Sequence, residues 1–205
     1  MTAKASVFEK TYTDYIAQLA GVDFMAVEQP LGGQAKEGLI TIPLFAESHT
    51  ISKKGITDPS GKKPSLDTCV ILCKYLLLCP VDRPRERAWV SYRDLKDSGP
   101  LTVYFLNDVE RAIADYFAGS LDALKAACQS LRGYGPEMDV SYDLCMQFDA
   151  LPRVPVILLF NDADDEFSAK SSVLFERRGE RYLDPECLAM VGRLLFTNLK
   201  KAAKA

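Results

Sequence analysis

The chain has 205 residues, a formal net charge of −3 and 26% charged residues. A body of that length buries roughly 70% of the surface its unfolded chain exposes, so a full apolar core needs neither disulfides nor a metal. At 48% hydrophobic residues the composition excludes disorder and low-complexity character, and the charge supplies no global positive field for nucleic acid or an anionic membrane.

Residues Met1 to Ser6 lead straight into an amphipathic pattern, without the apolar core or small-residue cleavage site of a signal peptide, which points to a cytoplasmic chain. Phe8, Tyr12, Tyr15, Ile16 and Leu19 recur at three- and four-residue steps and predict a helix ending at Gly21. Gly38 to Phe45 reads as a strand that Pro43 places at an edge or bulge, with His49 to Ser52 as a short partner. Residues 53–64 are polar and punctuated by glycine and proline, which predicts a mobile loop. Ser65 caps the next helix, whose stretch from Cys69 to Cys79 is apolar nearly all round, as in a helix buried on most sides, until Pro80 stops it. That stretch is interrupted by Lys74 and is far shorter than a membrane span. Asn107 and Glu110 have the spacing of a capping box for a helix reaching Phe117, and Ser120 caps a further helix ending at Gly133, forming an α-hairpin.

The C-terminal third is the plainest. Val140 to Phe148 alternates apolar and polar residues as a half-buried strand does, and Val154 to Phe160 is continuously apolar, as in a central strand buried on both faces. Ser171 to Glu176 reads as a third strand and residues 177–180 as a turn. Asp184, Pro185 and Glu186 open the last helix, with Cys187, Leu188, Val191, Leu194 and Leu195 on its core face and a basic tail over residues 200–205. The expectation is one α+β domain over residues 1–205, a small, mostly antiparallel sheet packed against several helices.

Several chemistries lack their residues. His49 is the only histidine, and no Gly-x-Ser-x-Gly elbow, Gly-x-Gly-x-x-Gly turn or Cys-x-x-Cys pair occurs. The stretch from Gly55 to Lys63 misses a phosphate loop by one residue, and Lys63 stands where a magnesium-binding hydroxyl belongs. Three candidate groups remain. Cys69 and Cys73, four apart on one helical face, suit either plain packing or use as a redox pair or cluster ligands. Asp162, Asp164, Asp165 and Glu166 leave the end of the buried strand and suit a solvated, arginine-paired loop or a hard-cation site. The segment Trp89 to Leu95, with Arg93 and Asp94, reads as a pinned turn or a pocket wall, while Lys53, Lys54, Lys62 and Lys63 read as a solvated loop.

Trp89 to Leu95, Leu151 to Val156, Asp164 to Phe167, Val173 to Phe175 and Tyr182 to Asp184 together resemble an uncharacterised bacterial and archaeal family, domain of unknown function 3786. The family has no established activity, so the resemblance carries no catalytic residue onto this chain. It implies a setting typical of anaerobes, sometimes beside iron–sulfur modules, although this chain has no ferredoxin-type cysteine run. The functional expectation is a binding or accessory domain for a small ligand, cofactor or redox partner such as an iron–sulfur protein, lined by Arg93, Arg153, Asp164 and Glu166. The alternatives are a metal-dependent hydrolase or transferase built on the carboxylates at 162–166, and an iron–sulfur or thiol-redox protein built on Cys69 and Cys73. Cofactor identity and oligomeric state have no signal in the sequence.

Overall fold

A computed structural model describes residues 2–138 and 141–204, with side chains of the first helix from Glu9 onward. That helix, α1 (Thr2–Leu19), ends where its periodicity does, and Tyr12, Tyr15, Ile16 and Leu19 pack on the core. Phe8 and Val140, which entered the sequence patterns, lie outside the described side chains. Just past α1, the Lys53 ammonium donates to the carbonyls of Ala20 at 2.7 Å and Val22 at 2.5 Å. α2 (Phe24–Leu31) follows, with Pro30 in its last turn. Its helical periodicity is too short to show in the sequence, and its ends define it instead. Asp23 accepts the Met25 amide at 3.0 Å, and Gly32 closes it in the left-handed region at φ +72°.

The C-terminus of α2 is held by residues distant in sequence. Arg153 donates from Nε to the Pro30 carbonyl at 3.0 Å and from Nη2 to the Gln29 carbonyl at 2.9 Å. The buried Tyr75 hydroxyl donates to the Leu31 carbonyl at 2.8 Å and accepts the Arg153 amide at 3.1 Å. Carbonyls that a helix end would otherwise leave to solvent are thus taken by one arginine and one tyrosine. The fit is close: a Cβ on Gly32 would stand 2.8 Å from Pro152 Cβ.

Two sheets form, where the sequence suggested one. The first is an antiparallel meander, β1 (Gln34–Lys36), β2 (Leu39–Leu44), β3 (Glu47–Ser52) and β4 (Gly55–Thr57), in that order. β4 lies within the stretch expected to be a loop, and Ser52 Oγ builds its hairpin by accepting the amides of Lys54 and Gly55. Pro43 is tolerated in an inner strand because β1 reaches only as far as Thr41, so nothing pairs with proline on that side. Ile40, Ile42, His49, Ile51 and Ile56 are buried on the core face.

The second sheet has the order β5 (Trp89–Ser91), β8 (Lys170–Glu176), β7 (Val154–Asn161), β6 (Leu144–Leu151), all antiparallel. β7 is buried from Val154 to Phe160, as its unbroken apolar run requires. The sheets touch where β6 bulges, the Ala150 carbonyl accepting the Phe45 amide at 2.8 Å. α3 (Leu66–Leu77) is capped by Ser65 and packs between α1 and α7 (Pro185–Ala202). The cap of α7, Asp184, accepts the Cys187 amide at 2.9 Å and pairs with Lys74 at 3.0 Å. Burial would raise its carboxyl, but these two partners outweigh it and hold the group below its ordinary range.

The capping box expected at Asn107 and Glu110 is not a helix start. A continuous helix runs through α4 (Thr102–Phe105), a wider π turn (Leu106–Arg111) and α5 (Ala112–Phe117), turning at Gly119 into α6 (Leu121–Ser130). Asn107 accepts from Arg111 instead, at 2.9 Å. Glu110 leans onto β8, where its carboxylate accepts the Val173 amide at 3.0 Å and its carbonyl the Ser171 hydroxyl at 2.6 Å. These bonds satisfy β8 beyond the reach of the short β5, which stops at Leu174.

Two outcomes follow from this packing. Tyr75→Phe leaves the Leu31 carbonyl and Arg153 amide unpaired in the interior and is expected to cost about 1–3 kcal/mol in chemical denaturation, with Gly32→Ala at least as costly. His49 is buried with Nδ1 unpartnered, and burial holds its pKa below the ordinary value against the opposing charges of Glu47 and Asp58. The unfolded chain therefore takes up this proton first, and stability falls as pH drops below about 6.5 towards the folded value. In paired urea titrations between pH 7 and pH 5, His49→Leu should flatten that part of the decline.

Candidate anion-binding site

The residues expected to line a pocket are dispersed. The Arg93 side chain is 75% exposed and lies 4.0 Å from Asp94. Arg153 is committed to the end of α2. Asp164 Oδ1 accepts the amides of Glu166 at 2.8 Å and Phe167 at 2.7 Å, which holds its carboxyl below the usual range, and Glu166 is exposed. None of the larger cavities is lined by all four.

The acidic run serves loop closure. Asp162 accepts the amides of Gly119 at 2.6 Å and Ala163 at 2.8 Å, tying the α5–α6 turn to the end of β7. Asp143 accepts the Asp162 amide at 2.7 Å. Asp143, Asp162 and Asp164 share a cleft of about 550 Å³ with Tyr142, Phe167 and Lys170, while Asp165 stands exposed. Among the described residues, no group of three His, Cys, Asp or Glu side chains is placed to hold a metal ion. All six cysteines are free thiols. Cys69 and Cys73 are fully buried on α3, and burial pushes them up to about 11 and about 12. Both are protonated near neutral pH, the form least suited to nucleophilic attack or ligation. Lys74 is occupied by Asp184 and does not lower them.

The basic loop is also partly spent within the fold. Lys53 holds the end of α1, and Lys63 pairs with Glu9 at 2.9 Å while lying 4.0 Å over the Tyr12 ring.

A different group converges. Asp82, Arg83, Pro84, Arg85, Arg87 and Arg178 line a cleft of about 690 Å³, four guanidinium groups against one carboxylate. The segment runs extended into β5 and is held by main-chain bonds from the end of β8, Arg178 to the Glu86 carbonyl at 3.2 Å and Arg177 to the Ala88 carbonyl at 2.8 Å. The arginines occupy every second position, and the intervening Glu86 pairs outside the cleft with Arg177 at 3.3 Å. Arg178 is anchored by an ion pair with the buried Glu176. Arg83, Arg85 and Arg87 are exposed and make no hydrogen bond or ion pair with any described residue. Behind them the Tyr182 hydroxyl is buried without a hydrogen-bond partner. Its burial raises its pKa, and the charges of Arg153, Arg178 and Arg83 pull against that.

Guanidinium groups present forked donors that match carboxylate and phosphate oxygens, and an unpaired cluster of them favours an anion. The segment is not among the candidate groups named from the sequence. Its signal was the alternation of Arg83, Arg85 and Arg87 immediately before a strand, a period of two that sets like charges on one side of an extended chain.

A family model described as Domain of unknown function (DUF3786) matches residues 23–198. The chain belongs to that family, as its sequence resemblance implied. No curated protein and no solved structure gives a significant match. Among the described residues, no helix is long and apolar enough to cross a membrane.

The thiol geometry has a direct test. In the native protein at pH 8, Cys69 and Cys73 should react with iodoacetamide at least about 100-fold more slowly than in urea, because both burial and protonation oppose the thiolate. Mass-spectrometric mapping at equal rates in the two states would contradict this placement.

Proposed function

We propose that the chain is a binding or accessory domain that takes up a phosphate- or carboxylate-bearing ligand in the cleft formed by Arg83, Arg85, Arg87 and Arg178. The observation that carries this reading is the set of three arginines without protein partners, facing one cleft beside the anchored Arg178. A surface arginine in a stabilising role has a carboxylate or carbonyl to hold, as Arg153 and Arg177 do. These three are left to a group from outside. The backbone bonds from Arg177 and Arg178 support the reading by fixing the segment, so less ordering is required when the ligand enters. Six free thiols support a reducing, cytoplasmic setting for the domain.

Isothermal titration with inorganic tripolyphosphate tests this. The intact chain should bind at low ionic strength, and the affinity should fall as salt rises from about 0.05 M to about 0.5 M, the range over which exposed charges become screened. The double substitution Arg85→Ala with Arg87→Ala should weaken binding at least about tenfold with an unchanged melting temperature, since neither side chain holds the fold. Equal binding by the double variant, or no binding by the intact chain, would refute the proposal.

A further inference from the structure

We infer that the anion entering the arginine cleft is carried by an extended acidic segment of a partner protein, which adds to the second sheet as a strand alongside β5. This inference rests on the reading of the cleft as an anion site and adds to it the class of the partner.

β5 is hydrogen-bonded on one side only, to β8, and is the outermost strand of its sheet. Successive residues of an antiparallel strand aim their peptide groups to opposite sides. The carbonyls of Glu86 and Ala88 accept from the β8 side, so the peptide groups of Arg85, Arg87 and Trp89 are turned to the open edge. Arg85 and Arg87 make no backbone hydrogen bond, and the segment from Arg85 to Ala88 is exposed. An edge of this kind is a template for another strand unless something blunts it. Here Arg83, Arg85, Arg87 and Arg178 outnumber the one carboxylate of the cleft, Asp82, and Glu86 is paired with Arg177, so the edge repels a basic strand and favours an acidic one.

The spacing of the arginines also suits an added strand. Residues two apart in a strand stand about 6.6 Å from each other on one face. An added strand would set its own alternate side chains opposite Arg85, Arg87 and Trp89, within the range at which cross-strand opposite charges attract. Aspartate or glutamate at every second position would meet the arginines. Arg83 and Arg178, in the same cleft, would receive the carboxylate beyond. Main-chain bonds would supply affinity and the arginines selectivity, the division of labour in strand addition. A compact anion would use the charges and leave the edge unpaired.

The test uses the full chain and Trp89 fluorescence, since Trp89 lies on β5 and is the only tryptophan. The probes are a short synthetic peptide alternating glutamate with threonine, the same peptide N-methylated on alternate residues so that it cannot donate to an edge, and inorganic tripolyphosphate. The expected result is saturable binding of the unmodified peptide, at least about tenfold weaker binding of the methylated one, and slowed hydrogen exchange at the Arg87 and Trp89 amides. Arg85→Glu with Arg87→Glu should abolish binding without altering the melting temperature. If the methylated peptide binds as tightly as the unmodified one, or if tripolyphosphate binds and neither peptide does, strand addition is overturned and the anion cleft stands. If no probe binds, both readings fail.

Discussion

The architecture turns on one polar joint. The end of α2, the turn between β6 and β7, and the last turn of α3 meet where Arg153 and Tyr75 take the carbonyls of Gln29, Pro30 and Leu31. Each component is unsatisfied alone: a helix end exposes acceptors, a turn leaves an amide without a partner, and a buried tyrosine requires a bond for its hydroxyl. Together they close, and Gly32 permits the approach because its missing side chain leaves room for Pro152. The first sheet follows α2 directly, and the second contains the turn, so this contact fixes the placement of one against the other. The Phe45 to Ala150 bond continues the same seam.

That joint also accounts for the use of the arginines. Arg153 was expected as part of the polar lining of a ligand pocket. Its charge is instead spread over peptide carbonyls, whereas the loop before β5 sets three unspent guanidinium groups against one cleft. Charge count alone does not separate these roles. The separation comes from geometry, since a fork aimed at a helix end finds acceptors within the chain, whereas one on an exposed strand edge finds none.

Much of the fold was legible because it follows from periodicity and end signals. The buried run of β7, the cap and proline of α7, the serine at the start of α3 and the α5–α6 turn at Gly119 all stand where their residue types place them. What escaped was either short or long-range. α2 spans two turns and carries proline, and β4 has three residues, so neither shows a period. The π turn cannot be read from spacing, because Asn107 and Glu110 fit a capping box equally well until β8 is known to lie beside Glu110. The candidate site shares this character. Its arginines alternate visibly, yet their lack of partners becomes apparent only when the neighbouring glutamates have been assigned, Glu86 to Arg177 and Glu176 to Arg178, which leaves Asp82 as the one carboxylate of the cleft.

The helix α1 lies outside the stretch of chain, residues 23–198, that the family model matches. Its side chains nevertheless shape the surroundings of α3: Glu9 acts electrostatically on Cys69, against Lys63 of the loop before α3, and Tyr12 lies near enough to sense both Cys69 and Cys73. Burial is the chief reason that those thiols stay protonated, and α1 supplies part of it by packing along α3, together with α7 and α2. The family framework over residues 23–198 thus borrows part of the cover of its own cysteine-bearing helix from a segment outside it.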